Sequence, residues 1–191
     1  MSIKPVGYDY TTNEKLPIKI NSSENIIIFF PGSTIGNFEK KDAVKFLKML
    51  KSKFKAKKVI IGADLVKDIP TLISAYNDQR GVTAKFNKNI LKRINSELGG
   101  DINLNLYKHI VIYNKSKKRI EMRLMSKKNN KIKINGSKYL IKKNEEIHTE
   151  NSHKYTIKSF KKLANEAGWK IEKTWVDDKK LFSVHCLNLA L

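Results

Sequence analysis

The sequence lacks the cysteines that a disulfide framework needs. Its 191 residues include one cysteine, Cys186, so no internal disulfide can form. A chain of this kind suits a reducing compartment, and we expect a cytoplasmic location. Cys186 lies in an apolar stretch and is predicted to pack in the core rather than to act as a nucleophile.

Long apolar runs are also missing. No stretch approaches the roughly 20 residues that a membrane-spanning helix requires, so we expect no membrane partner. The N-terminal residues do not follow the basic-then-apolar pattern of a secretion signal. Hydrophobic residues still make up 40% of the chain, which is enough for a folded core and argues against disorder.

Acidic residues are few, 18 against 39 lysines and arginines, which gives a formal net charge of +21. Such a charge can indicate a nucleic-acid partner. Arginine, however, occurs at four positions only, Arg80, Arg93, Arg119 and Arg123. Surfaces that clamp phosphates or read bases use more arginine and interleaved aromatic residues, so we do not expect nucleic acid as the partner. The densest basic cluster, residues 115–119, is predicted to be a solvated hairpin tip, with an anion-binding patch as the alternative.

The most informative segment is residues 29–38, FFPGSTIGNF. The apolar run at residues 25–30 shows no polar alternation and is predicted to be a strand covered on both faces, as in a parallel sheet. The corner after it contains Gly32, which lets a backbone approach a ligand closely, and the segment continues to Asn37, whose amide can donate hydrogen bonds. A ligand site at the carboxyl end of the strand is one interpretation. A plain strand-to-helix turn is the other.

Hydrophobic periodicity separates two kinds of region along the chain. Residues 25–65 have the pattern of strand, helix and strand that is typical of a parallel crossover. The final third has the pattern of a helix capped by Thr156 and followed by two strands. Between these regions, residues 106–141 change to a period of two, and Asn135-Gly136 predicts a hairpin turn.

We therefore expect two lobes. Residues 1–67 and 153–191 are predicted to form an α/β sheet domain, and residues 68–152 an inserted α+β lobe. The inserted lobe is predicted to begin with two helices, capped by Asp68 and Thr83.

Longer segments carry a more specific signal. In order along nearly the whole chain they are FFPGSTIGNF, GADLVKD, AYNDQRGVTAKFNKNIL, INSELGGD, RIEMRL and IHTENSHKY. Together they resemble the histidine-specific Nα-methyltransferase family, whose best-known member makes hercynine, the precursor of ergothioneine. The resemblance implies an α/β fold class, the C-terminal portion of a Rossmann-like class I methyltransferase sheet with an inserted α+β substrate-binding lobe.

The resemblance also implies a reaction, the S-adenosylmethionine-dependent methylation of the α-amino group of histidine or a related amino acid, in a pocket shared by both lobes. Asn37 and Tyr76 match the residues that hold the substrate carboxylate, which neutral N–H and O–H donors suit. Glu150 and Ser152 match those that hold the imidazole. The simpler alternatives are that Tyr76 packs on its helix and that Glu150 is a surface charge.

Four more positions match parts of the family's site. Met122 matches an apolar wall of the substrate pocket, with a plain core role as the alternative, and Gly32 matches the backbone beside the substrate amino group. Asp9 and Tyr10 match the cofactor loop that contacts adenine, although a chance acidic and aromatic pair would look the same. No catalytic residue is expected, because the sulfonium is already a strong electrophile and requires only an aligned, desolvated amine.

No metal is expected. His148, Glu150 and His153 lie in one short polar run, and the sequence offers no fourth ligand near them. His109 and His185 lie in strand-like runs and are predicted to be residues at the edge of the core.

Members of the family carry, upstream of the matching region, a substrate-lobe segment and the first strands of the nucleotide-binding sheet. We therefore expect a truncated or split form with an exposed apolar sheet edge, completed by a separately encoded N-terminal half. One alternative is a non-catalytic remnant that keeps amino-acid binding. Another is a basic nucleic-acid-binding protein.

Overall fold

A computed structural model of the protein describes residues 3–12, 15, 17–19 and 25–190. The chain divides into two compact units, which we call unit 1 (Met1–Ala63 and Thr156–Leu191) and unit 2 (Asp64–Tyr155). Within the described residues, no helix combines the length and the apolar character that crossing a bilayer takes.

In chain order the helices and strands are β1 (Ile27–Phe30), α1 (Lys40–Ser52), β2 (Lys58–Asp64), α2 (Ile69–Tyr76), α3 (Val82–Leu98), β3 (Tyr107–Asn114), β4 (Arg119–Ser126), β5 (Asn130–Ile134), β6 (Ser137–Ile141), β7 (Glu146–His153), α4 (Ile157–Glu166), β8 (Trp169–Val176) and β9 (Phe182–Leu189). Short 3-10 helices lie at Thr34–Asn37 and Leu104–Leu106.

Unit 1 is built on a mixed four-stranded sheet with the strand order β1-β2-β9-β8. Strands β1 and β2 are parallel and are joined through α1, as the strand-helix-strand pattern predicts. Helix α4 is capped by Thr156, whose side chain accepts a hydrogen bond from the Ser159 backbone in a capping box. It leads into the antiparallel hairpin of β8 and β9. The predicted Rossmann-like α/β fold class is confirmed.

The core of unit 1 lies where α1 and α4 pack against the sheet. Trp169 is fully buried, and its indole Nε1 donates a hydrogen bond of 2.8 Å to the carbonyl oxygen of Leu47 on α1. The imidazole of His185 stacks on Phe160 of α4 with ring centroids 4.2 Å apart. His185 is completely buried rather than at the core edge, and burial lowers its pKa to about 4, so the ring is neutral at physiological pH.

Strand β1 differs from its sequence prediction. It lies at one end of the strand order, and the side chains of Ile27 and Phe29 are 56% and 69% exposed, so the prediction of cover on both faces is wrong for this chain. The exposed apolar edge that the family resemblance predicts is observed instead. An apolar strand favours burial, but burial requires a neighbouring element, and none of the described residues covers this face.

Unit 2 contains a three-stranded antiparallel sheet, β3-β4-β7, and the separate β5–β6 hairpin. Asn135 and Gly136 both have positive φ angles, 47° and 81°, as a tight hairpin turn requires, so that prediction is confirmed. Strand β7 was not predicted, because its side chains are mostly polar and carry no apolar alternation. Its backbone pairing with β4 defines it.

Of the two helix caps predicted for unit 2, one is confirmed and one is wrong. Asp68 caps α2 by accepting a hydrogen bond of 2.8 Å from the Thr71 backbone N–H. Thr83 does not cap α3, which begins at Val82. The Asp78 carboxylate instead accepts the backbone N–H groups of Val82 and Thr83, and these bonds lower the pKa of Asp78 to about 2.

Strand β4 carries charge on one face and apolar residues on the other. Arg119, which the sequence places in the basic hairpin tip, is buried, and its guanidinium donates to the buried carboxylate of Glu121 at 2.8 Å. Arg123 and Asn114 also donate to that carboxylate. Residues 115–118 are exposed, as a solvated turn requires.

Candidate functional site

Four of the sequence-predicted substrate residues come together in unit 2. Tyr76 is the last residue of α2, Met122 lies on β4, and Glu150 and Ser152 lie on β7. The Tyr76 hydroxyl and the Ser152 hydroxyl are hydrogen-bonded at 2.7 Å. Met122 stands opposite Glu150 in the β4–β7 register.

The period of the strands and the apolar side of α2 produce this arrangement. Residues two apart on a strand share a face, so Glu150 and Ser152 lie on the same face of β7. On β4, Ile120 and Met122 form a buried cluster with Leu72 of α2, and Tyr76 packs against that cluster. Packing of α2 on the sheet therefore brings the phenol of Tyr76 to the serine.

Lys154 lies at the centre of this group. Its side chain is fully buried, and its Nζ donates to Asp64 Oδ2 at 2.7 Å, to Tyr76 Oη at 2.8 Å and to Ser152 Oγ at 2.8 Å. The ammonium also lies 4.6 Å from the centroid of the Tyr76 ring. Asp64, the last residue of β2, accepts from Lys67 as well.

Sequence reasoning missed Lys154 because one lysine in a lysine-rich chain carries no signal of its own. A signal did exist in the spacing. Glu150, Ser152 and Lys154 follow one another at intervals of two, the period by which a strand places side chains on one face.

Glu150 is less exposed than an ordinary surface glutamate. Its side chain is half-buried, and this burial raises the pKa of the carboxyl, while the positive charge of Lys154 acts in the opposite direction. A partly desolvated carboxylate binds an N–H donor more strongly than an exposed one does.

Unit 1 contains the other two predicted substrate residues. Gly32 and Ser33 both have positive φ angles, 75° and 59°, so the predicted corner is a tight left-handed turn that leads into the 3-10 helix ending at Asn37. Gly32 and Asn37 are exposed. A Cβ atom at Gly62 of β2 would lie 2.8 Å from the Phe182 ring and 3.3 Å from the Gly32 nitrogen, so glycine at 62 allows both to approach β2 closely.

The predicted cofactor residues Asp9 and Tyr10 also lie in unit 1. Tyr10 packs edge-on against Phe30 of β1 at 5.8 Å between ring centroids, and it remains 37% exposed. Asp9 Oδ1 accepts two hydrogen bonds from Thr11, which lower the pKa of Asp9. Neither of these bonds uses Oδ2.

An open cavity of about 700 Å³ lies along α1 in unit 1. Its lining residues are Thr11, Phe38, Asp42, Lys45, Phe46, Lys48, Met49, Ser52 and Lys53. None of the predicted substrate residues lines it. Within the described ranges, no group of three or more His, Cys, Asp or Glu side chains is placed to hold a metal ion.

Known proteins resemble this chain over most of its length. The model of a family described as "Histidine-specific methyltransferase, SAM-dependent" matches residues 1–189. A histidine N-alpha-methyltransferase from Mycolicibacterium smegmatis is 33% identical over 154 residues, which are 79% of this chain and 48% of that protein. One from Mycobacterium tuberculosis is 32% identical over 155 residues, 80% of this chain and 48% of that protein. The chain thus spans about half the length of these curated relatives.

A solved structure shows a weaker likeness. The crystal structure of an S-adenosylmethionine-dependent methyltransferase from Clostridium acetobutylicum has a TM-score of 0.47 and 9% sequence identity, and the match covers 97% of this chain and 64% of that one.

Proposed function

Because the chain belongs to the family of histidine-specific, S-adenosylmethionine-dependent methyltransferases, we propose that it supplies the amino-acid-binding part of an enzyme that methylates the α-amino group of histidine or a related amino acid. The single observation that carries this proposal is the convergence of Tyr76, Met122, Glu150 and Ser152 in unit 2. The proposed setting is the cytoplasm, as expected from the lone cysteine.

In this proposal each residue holds one part of a zwitterionic amino acid. The Tyr76 hydroxyl donates a hydrogen bond to the carboxylate, and Glu150 accepts a hydrogen bond from a ring N–H of the imidazole. Met122 provides an apolar contact for the side chain. The roles proposed for Asn37 at the carboxylate and for Gly32 near the amino group rest on the family resemblance.

The proposed chemistry asks for positioning rather than for a strong base. S-adenosylmethionine, for which Asp9 and Tyr10 are the proposed adenine contacts, supplies an electrophilic methyl group on a sulfonium. This chain's residues hold the amino acid at its two ends, so that the nitrogen keeps a free lone pair and one fixed direction of attack. Burial around Glu150 and Met122 keeps water from the ring end of the site.

The exposed edge of unit 1 supports a partner. Ile27 and Phe29 on β1 are apolar, alternate along the strand and are largely exposed. An uncovered parallel strand of this composition is suited to pairing with another strand. We assign it to a separately encoded polypeptide equivalent to the other half of the relatives.

The direct test is to express this chain with the polypeptide encoded upstream of it and to measure methyl transfer to histidine by mass spectrometry. We expect transfer that depends on both polypeptides, and histidine binding that strengthens in the presence of S-adenosylmethionine. Histidine binding without transfer in the complete assembly would favour a non-catalytic binding module. Salt-sensitive nucleic-acid binding without amino-acid binding would favour the basic-protein alternative.

Glu150→Gln should weaken histidine binding roughly tenfold, because a hydrogen bond to a charged acceptor is lost. Calorimetry across pH sharpens the test. Since burial raises the pKa of Glu150, the Glu150-dependent part of the affinity should fall with decreasing pH sooner than an ordinary glutamate would allow. This fall of affinity with decreasing pH should be absent in Glu150→Gln, whereas the surface variant Glu166→Gln should show the same pH dependence as the wild type. An unchanged affinity in Glu150→Gln would contradict the assigned role.

Phe29→Glu should leave the fold of the chain intact, because the side chain is 69% exposed, but should weaken association with the partner polypeptide roughly tenfold or more. The physical reason is that the proposed interface would bury a charge in place of a phenyl ring. Val176→Glu on β8, at the opposite end of the sheet, is the matched control. Size-exclusion chromatography and titration of the two polypeptides measure the effect, and equal behaviour of the two variants would place the interface elsewhere.

A further inference from the structure

Lys154 has three partners and three protons. An ammonium group carries three N–H donors and no acceptor, and the bonds to Asp64, Tyr76 and Ser152 use all three. Both hydroxyl oxygens must therefore accept a proton from Lys154. Neither hydroxyl can direct its own proton toward the lysine.

Counting the remaining protons limits what the site can offer a ligand. Tyr76 and Ser152 have one hydroxyl proton each, and one of the two is used in the 2.7 Å bond between them. One O–H remains to point outward, together with one lone pair on the other hydroxyl. If Ser152 donates to Tyr76, the outward donor is the phenol and the outward acceptor is the serine. If Tyr76 donates to Ser152, these roles are exchanged.

We propose that Lys154 is a positioning residue that limits the Tyr76–Ser152 pair to one outward donor and one outward acceptor, so that a bound carboxylate makes Tyr76 the donor and Ser152 the acceptor. This inference rests on the proposed function, in which Tyr76 meets a carboxylate. A carboxylate can only accept, so it selects the arrangement in which the serine donates to the phenol. Ser152 then keeps one lone pair, which suits a ring N–H.

The rest of the network keeps Lys154 in this role. Asp64 Oδ2 accepts a hydrogen bond from the ammonium at 2.7 Å. Lys67 also pairs with Asp64, so this carboxylate keeps a cationic partner if Lys154 is replaced. The variant Lys154→Met is therefore expected to fold, because no isolated charge is left buried.

The proposal predicts a ligand-specific effect of Lys154. Lys154→Met should weaken histidine binding roughly tenfold or more. Without the ammonium, the phenol can turn its proton away from the ligand and toward the position that Nζ occupied. The same variant should weaken the binding of histidinol, in which an alcohol replaces the carboxylate, much less. In a Tyr76→Phe background Lys154→Met should weaken histidine binding little further, because the phenol hydroxyl that meets the carboxylate is already gone. Lys108→Met, an exposed lysine on β3, is the control.

Calorimetry of the complete assembly with histidine and histidinol measures these quantities. An equal loss of affinity for both ligands, or additive losses in the double variant, would overturn the proposal and leave Lys154 a purely structural residue. If Lys154→Met does not fold by circular dichroism, Lys154→Gln, which keeps the length and one polar end, serves in the same cycle.

A ligand-free measurement separates this proposal from the proposed function. With 13C-labelled tyrosine, the Cζ signal of Tyr76, assigned with Tyr76→Phe, should move in Lys154→Met and in Ser152→Ala but not in Lys108→Met. An unchanged Cζ chemical shift in Lys154→Met would overturn the positioning role. If the variants show these shifts but the wild-type protein binds no histidine, the proposed function is overturned instead.

Discussion

Replacing Glu121 by alanine is expected to lower the free energy of unfolding by about 3–5 kcal/mol, the range for breaking a buried ion pair. The carboxylate is buried on β4, and it accepts hydrogen bonds from Arg119, Arg123 and Asn114. Without it, the buried guanidinium of Arg119 loses its carboxylate partner in a poorly solvated place. Urea unfolding followed by circular dichroism measures the change.

Glu97→Ala is the matched control for this prediction. Glu97 also pairs with an arginine, Arg93, but both side chains are more than half exposed. Water screens such a pair, so its loss should change the free energy of unfolding by less than about 1 kcal/mol. Equal effects of Glu97→Ala and Glu121→Ala would show that Glu121 and its partners contribute no more to the free energy of unfolding than a surface pair does.

The Glu121 cluster also predicts a dependence of stability on pH. Burial alone would raise the pKa of Glu121, but the hydrogen bonds from Arg123, Arg119 and Asn114 outweigh it and hold the pKa at about 2. Because this folded-state value lies below the ordinary value of 4.5, the contribution is complete above about pH 4.5 and is lost as the pH falls toward 2. The Glu121→Gln variant should lack this part of the acid sensitivity.

Trp169→Ala should be the most damaging single change in unit 1, at about 3–5 kcal/mol of unfolding free energy. The side chain is fully buried between the sheet and α1, so its removal leaves a cavity, and its Nε1 bond to Leu47 is lost as well. Trp169→Phe separates the two causes, because it keeps most of the apolar volume and removes only the N–H donor. That variant should cost clearly less than the alanine variant.

The chain contains a natural control in its second tryptophan. Trp175 on β8 is 45% exposed, so Trp175→Ala should cost well under 2 kcal/mol by the usual scale for partly exposed sites. Denaturant unfolding monitored by circular dichroism compares both variants under the same conditions. A Trp175→Ala effect as large as that of Trp169→Ala would contradict the assigned core.

The sequence by itself determined the features that depend on neighbouring residues. Apolar spacing located α1 and the β8–β9 hairpin, the Asn135-Gly136 pair identified the β5–β6 turn, and Asp68 was read correctly as a helix cap. Each of these signals lies within one turn or one strand. The segment resemblance likewise needs only residues in order, which is why the family could be identified, and candidate substrate residues proposed, from the sequence.

Only the tertiary structure decided the features that depend on distant residues. Strand β7 exists because β4 offers it a backbone partner, and Arg119 is buried because Glu121 neutralises it, although its sequence neighbours are exposed lysines. Lys154 looks like any other lysine until Asp64 and Tyr76, far from it in sequence, meet its ammonium. Burial of a charged side chain is favourable only when oppositely charged or hydrogen-bonding groups surround it. Here those groups come from separate segments of the chain, and only the fold brings them together.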